Sequence, residues 1–169
     1  MTNYNIYQLR QYAKKWLMDN YNLELVVPLQ LNSRMQRTCG WFKHNRKWDS
    51  PICIELNKFF VENNEPSTVL DVLRHELVHY ALYMQKKEYR DGQMGFEREL
   101  KRLGVVSQST INKYEIHSKP RSIRIYQCEN CGHEYHRQRA LPNGGIGYSC
   151  GAKHCNGKLL DRGKRLITT

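Results

Sequence analysis

Residues 69–83, VLDVLRHELVHYALY, constrain this chain more than any other stretch. Val69, Val72, Leu73, Leu77 and Tyr80 recur at helical spacing over a run too long for a strand, so the segment reads as a helix with a broad apolar face. His75 and His79 stand four apart and project from one side of that helix, with Glu76 next to the first. The apolar neighbours half-bury this polar trio, and buried polar groups need partners. Two incidental histidines on an amphipathic helix lack such a partner, whereas a metal ion provides one. Two imidazoles one turn apart can hold a Zn²⁺ and leave room for a third ligand and a water. Zinc lowers the pKa of that water to about 7, and a carboxylate in the position of Glu76 can take its proton as it attacks a carbonyl.

A catalytic zinc has three protein ligands as a rule. The next histidine is His117, far downstream, but Asp91 follows His79 by twelve residues, just past the helix, where a turn can bring it back. Glu97 and Glu99 are rivals on the following helix. Carboxylates of either type ligate zinc at about 2.0–2.2 Å, so ligand chemistry does not choose among the three.

Around this centre the pattern predicts a mixture of helices and short strands. Ile6, Leu9, Ala13 and Trp16 mark an amphipathic N-terminal helix. LELVVPLQL and SPICIELNKFF read as strands, and RTCGWFKHNRKW as a third with a hairpin tip at His44–Lys47. Pro66 and Ser67 break the chain before the metal helix, and Thr68 with Asp71 resembles a capping box that starts it. Beyond the polar turn KKEYRDGQMG, Phe96, Leu100 and Leu103 predict another helix, with Gly104 as its C-cap. HSKPRS, residues 117–122, reads as a linker, dividing the chain into domains at 1–117 and 118–169.

The second of these is basic and cysteine-rich. It holds ten Lys/Arg against three Asp/Glu, while the first 117 residues hold seventeen against thirteen. It also holds Cys128, Cys131, Cys150 and Cys155, a C-x2-C and a C-x4-C pair. This is the pattern of a zinc ribbon, in which thiolates from two hairpin turns close a tetrahedral structural site. His154 can replace Cys155 in the irregular second pair. About fifty residues bury little apolar surface, so the metal supplies much of the folding energy. Cys39 and Cys53, outside the tail, read as buried small hydrophobes. Basic excess points to a polyanion, most simply nucleic acid. With no apolar run of about 20 residues and no signal-peptide pattern, a cytoplasmic protein with no membrane partner is expected.

The chain resembles the SprT-like family of zinc metalloproteins, which includes the Spartan-type proteases that digest DNA–protein crosslinks. The resemblance runs through the N-terminal helix, LNSRMQRTCGWF…ICIELN, LRHELVHYALY, FERELKRLG and the cysteine tail. It implies an α+β fold in which a small antiparallel sheet packs with helices, the H-E-x-x-H zinc helix lies at its centre, and a zinc ribbon follows. It implies His75 and His79 as zinc ligands and Glu76 as general base. Family members usually carry a third histidine where this chain has Asp91. The implied activity is zinc-dependent hydrolysis of peptide bonds, including those of proteins bound or crosslinked to DNA, with one catalytic and one structural Zn²⁺. Arg121, Arg124, Arg137, Arg139, Lys153, Arg162, Lys164 and Arg165 then face nucleic acid through its phosphates. Tyr126, Tyr135 and Tyr148 either stack on bases or fill the ribbon's core. The alternative is a zinc-containing nucleic-acid-binding or regulatory protein without proteolysis.

Overall fold

The computed structural model describes residues 4–116, 121–153 and 155–167, and the chain divides into two compact units, Met1–Ser118 and Lys119–Thr169. In the first, helix α1 (Ile6–Tyr21) starts with a capping box in which Asn5 and Gln8 bond each other's backbone N–H. It buries Leu9, Ala13 and Leu17 completely, and stops at Asn22 in the left-handed conformation. Strands β1 (Leu29–Asn32), β2 (Gly40–Asn45) and β3 (Ser50–Asn57) form a sheet in the order β1-β3-β2. The hairpin β2–β3 is antiparallel, but β1 runs parallel to β3, so the sheet is mixed rather than antiparallel. A parallel neighbour needs a crossover; here residues 33–49, the chain out through β2 and its hairpin turn, supply it.

Several boundaries also move. LELVVPLQL is strand only from Leu29, because Pro28 has no N–H to enter the ladder; its carbonyl accepts from Ile54 instead. The hairpin turn falls after Asn45, so His44 lies within β2 rather than at a tip. SPICIELNKFF is strand only to Asn57, whose side-chain oxygen accepts from the N–H of Phe59 and Phe60 and starts helix α2 (Lys58–Asn63).

The central helix α3 (Pro66–Met84) begins at Pro66, with Glu65 at the N-cap and no side-chain capping bond. Proline at the first position has its φ already set for a helix and lacks an N–H that would go unmet. The Thr68–Asp71 box is therefore not formed, and Asp71 accepts a 3.0 Å bond from Tyr114. Twelve of the nineteen residues of α3 are buried, on both sides of the helix. One side joins α1, the sheet and Phe60 in the main core, and Val78 and Leu82 pack with Phe96 and Leu100 of α4 (Met94–Leu103). Gly104 caps α4 with φ 63°, and a short helix, α5 (Gln108–Ile111), follows.

In the second unit β4 (Arg121–Cys128) pairs antiparallel with both β5 (Glu134–Arg137) and β6 (Leu159–Ile167). Its apolar interior is small: Ile123, Ile125, Tyr126 and Leu141 with the sulfurs of Cys128 and Cys150. Of the expected linker, residues 117–120 lie outside the described residues, whereas Arg121 and Ser122 belong to β4. No described helix is long and apolar enough to cross a membrane.

Candidate metal centres and the cleft beside Glu76

Helix α3 brings His75 and His79 to one face, and two backbone carbonyls fix their tautomers. Nδ1 of His75 lies 2.8 Å from the Val106 carbonyl, and Nδ1 of His79 bonds the carbonyl of Tyr89. A carbonyl only accepts, so each Nδ1 carries the proton and each Nε2 is left with a lone pair. Those two Nε2 atoms face each other at 3.1 Å. Asp91 completes the triangle, Oδ1 3.1 Å from Nε2 of His75 and Oδ2 3.5 Å from Nε2 of His79. Three acceptors converging in this way repel one another unless a cation sits among them. Donors about 2.0–2.2 Å from a tetrahedral zinc stand about 3.3–3.6 Å apart, so the three residues fit such an ion.

The turn after α3 positions Asp91. Lys86 takes φ 58° and Gly92 φ 79°, and the N–H of Arg90 donates to Gln93 Oε1, which bends the chain back over the helix. The rival carboxylates are engaged elsewhere: Glu97 accepts from the N–H of Gly92 at 3.0 Å, and Glu99 holds Arg102 through two bonds of 2.7 and 2.9 Å. Phe96 walls the site, stacked on His79 at 4.2 Å and edge-on to His75 at 5.4 Å.

Burial and neighbours set the charges. Burial, reinforced by His75 alongside, drives the pKa of His79 down to about 4, so the ring is neutral and fit to ligate at neutral pH. Burial pushes His75 the same way, but the carboxylates of Asp91 and Glu76 outweigh that and its pKa rises, so a metal binding at Nε2 takes the place of the proton that Asp91 favours there. Glu76 is 5% exposed, and burial lifts its pKa to about 7 against the opposing pull of His75 and of an N–H from Phe42. That N–H holds Glu76 Oε2 at 2.8 Å. The carboxylate therefore sits fixed between α3 and β2, at the wall of a cleft of about 380 Å³ that His79, Asp91, Tyr89, His44 and Trp41 also line.

Gly40 makes this placement possible. A Cβ there would stand 2.8 Å from Cγ of Glu76 and 2.9 Å from Cγ1 of Val72. Neither Gly40 nor the carbonyls of Val106 and Tyr89 stood out in the sequence. A carbonyl leaves no side-chain trace, and the only available hint was that Gly40 opens the apolar WF pair of β2.

The second cluster joins Cys128, Cys131, Cys150 and Cys155, whose sulfurs all lie within 4.8 Å of one another. Cys128 and Cys155 are 3.5 Å apart, Cys131 and Cys150 3.6 Å, and all four are free thiols. Four sulfurs each about 2.3 Å from a tetrahedral zinc stand about 3.8 Å apart, so this set fits too. Backbone N–H groups, that of Cys131 foremost, lower the Cys128 thiol to about 7, toward the thiolate a metal needs. Tyr135 braces the second pair, its hydroxyl 3.1 Å from Cys150 Sγ and accepting from the N–H of Gly151. Gly157 leaves room, since a Cβ there would stand 2.6 Å from Cys128 Sγ. His154, the alternative to Cys155, lies outside the described residues.

The basic residues of this unit divide. Arg137, Arg139, Lys153, Lys164 and Arg165 are exposed, as is Arg162, which donates to Gln127. Arg124 instead pairs with Asp161 at 2.7 Å across the sheet. Arg121 opens β4, but its side chain is not among those described. Of the tyrosines, Tyr126 is fully buried and accepts from the N–H of Leu141, so it is core and does not stack on a base. Tyr148 is 42% exposed.

A model of the SprT-like family matches residues 6–118. A Protein SprT-like of Streptococcus mutans is 31% identical over 152 residues, covering 89% of this chain and 94% of the relative. One from Lactiplantibacillus plantarum is 30% identical over 161 residues, covering 90% and 95%. One from Staphylococcus saprophyticus is 35% identical over 135 residues, covering 77% and 78%. With both the family match and these relatives spanning most of its length, the chain belongs to the SprT-like family.

Proposed function

We propose that the first unit is a zinc-dependent peptidase and the second a structural zinc ribbon that binds nucleic acid, so that proteins bound or crosslinked to DNA become substrates. The observation that carries the reading is the convergence of the bare Nε2 atoms of His75 and His79 with Asp91 beside a buried carboxylate they do not use, Glu76. Zinc held by His75, His79 and Asp91 supplies a Lewis acid for the scissile carbonyl and makes water a stronger acid. Glu76 takes the proton of the attacking water and returns it to the leaving amine nitrogen. A carboxyl lifted to about 7 by burial suits both directions of that transfer near neutral pH. Phe42 keeps it aimed through its N–H, and the carbonyls of Val106 and Tyr89 keep both imidazoles in the ligating tautomer. Exposed cations on the second unit support a phosphate-binding role.

Glu76→Gln keeps the shape and the bond from Phe42 but removes the base. Cleavage of an unfolded protein, and of a protein crosslinked to DNA, is expected to fall about 10²–10⁴-fold with zinc content unchanged. Unchanged cleavage would refute the peptidase reading. The buried, oriented Glu76 counts against a purely binding or regulatory role, since such a centre gives it nothing to do.

A further inference from the structure

From Leu25 to Trp48 the chain contains no acidic residue, yet it carries Arg34, Arg37, Lys43, Arg46 and Lys47 together with Trp41 and Trp48. The fold exposes all of these groups except Lys43, which is half-buried. Because strand residues alternate, Phe42 points into the core while its neighbour Trp41 stands on the open side of the sheet, 56% exposed. Trp48, in the hairpin turn, is 70% exposed. Lys43 Nζ lies 5.2 Å from the centre of the Trp41 ring, and Lys47 Nζ 4.9 Å from that of Trp48. Among the described residues no salt bridge engages Arg34, Arg37 or Arg46.

The face is also held in shape. Glu55 lies beneath it, 6% exposed, accepting from Gln30 at 2.9 Å and Asn32 at 2.7 Å and pairing with Lys43 at 2.8 Å. Its charge is thereby matched locally and leaves the arginines' field intact. Asn57, fully buried, donates to the carbonyls of Met35 and Thr38 and pins the loop that bears Arg34 and Arg37. Beside Trp41 lies a depression of about 470 Å³ lined by Arg34, Arg37, Lys43 and Glu55. It shares Thr38 and Trp41 with the cleft beside Glu76, so the two hollows adjoin.

We propose that this face of the first unit is a binding site for single-stranded nucleic acid, with Trp41 stacking on a base and Arg34 and Arg37 meeting phosphates. Arg46 in the adjoining cleft and Lys47 and Trp48 in the hairpin turn extend it. The pairing of groups identifies the ligand. Cations alone attract any polyanion, but flat indoles beside them match a polyanion with exposed aromatic faces. A duplex hides those faces in its stack, and an acidic peptide has none. The site is independent of the ribbon's cations and does not require that Glu76 hydrolyse anything.

Tryptophan emission provides the test, because Trp16, Trp41 and Trp48 all belong to the first unit and residues 119–169 contain none. The full chain is titrated with dT12, following intrinsic fluorescence, and binding of labelled dT12 is followed in parallel by anisotropy. Stacking is expected to quench the emission, with rU12 in a second arm deciding between DNA and RNA. Trp41→Ala should cut the quench and weaken binding about 5- to 150-fold, the range for losing one stacked base. The double variant Arg34→Ala/Arg37→Ala should lower the slope of log K against log salt by about 1.4, two single-strand phosphate contacts. All three side chains are exposed, and unchanged far-ultraviolet circular dichroism would show the variants folded. The proposal falls if dT12 does not bind, or binds without quenching. It also falls if neither variant matters, or if polyglutamate or phosphatidylserine vesicles quench as strongly.

Discussion

The two candidate metal centres are built on opposite principles. His75 and His79 project from a helix that twelve buried residues hold in place, and only Asp91 arrives on a loop. Cys128 ends β4, and Cys131, Cys150 and Cys155 come from the turns and loops around a three-stranded sheet whose apolar interior amounts to a few side chains. In the first unit the fold makes the site. In the second a metal on the four cysteines would make the fold, because so small a core stabilises little by itself.

The largest effect should therefore come from taking metal away from the cysteines. Cys131→Ser, or chelation, is expected to collapse the amide dispersion of residues 121–167 in a nitrogen–proton correlation spectrum while residues 6–111 keep theirs. Structural zinc contributes about 10–16 kcal/mol in small domains, far more than this core can replace. His75→Ala is expected to do the reverse. Zinc per chain should fall from two to one and peptidase activity should vanish, while the first unit, though it melts lower for losing a buried side chain, still folds and unfolds cooperatively. If His75→Ala unfolds the first unit as Cys131→Ser unfolds the second, the contrast fails.

Two glycines sharpen the comparison at smaller scale. Gly40→Ala presses on Glu76 and Val72, both in a packed core, so about 1–3 kcal/mol of stability is expected to go, as overpacking does. Denaturant unfolding would show this, and activity should drop because Glu76 is displaced from the N–H of Phe42. Gly157→Ala presses on the Cys128 sulfur and should instead appear as weaker zinc affinity in a competition titration with a chromogenic chelator.

How much of this could be read beforehand follows the same division. Side chains with fixed spacing were legible: H-E-x-x-H on an apolar helical run, four cysteines in two pairs, Gly104 at a helix end. What depends on backbone meeting backbone at a distance was not. The parallel pairing of β1 with β3 is set by a crossover that periodicity does not reveal, and it makes the sheet mixed. Asp91 differs from Glu97 and Glu99 through the turn that carries it, not through its chemistry. The helix start moved from Thr68 to Pro66 because a favourable first-turn proline outweighed a possible side-chain cap. The acid-free run from Leu25 to Trp48 lay in plain view, but summing charge over 117 residues averaged it against the acidic residues of α3 and α4.

The smallest expected effect concerns acid, and it again separates the units. Burial pushes the Glu55 carboxyl up, but the bonds from Lys43, Asn32 and Gln30 outweigh it and leave its pKa below the ordinary value. In the second unit Asp161 is lowered first by the N–H of Gly163 and then by Arg124. A carboxylate lowered on folding stabilises the native state fully above its unfolded pKa, about 4.3 for Glu and 3.9 for Asp, and loses that contribution as pH falls through the folded value. Both units should thus weaken below about pH 4, to different extents. The Glu55 side chain is 8% exposed and solvent screens it little, whereas Asp161, at 22%, is the more screened. Glu55→Gln should flatten the acid limb of the first unit's unfolding curve measurably, with Asp161→Asn altering the second unit's less. An equal change in both would mean that the sheet over Glu55 admits water freely, and the ordered floor argued for the Trp41 face would lose its support.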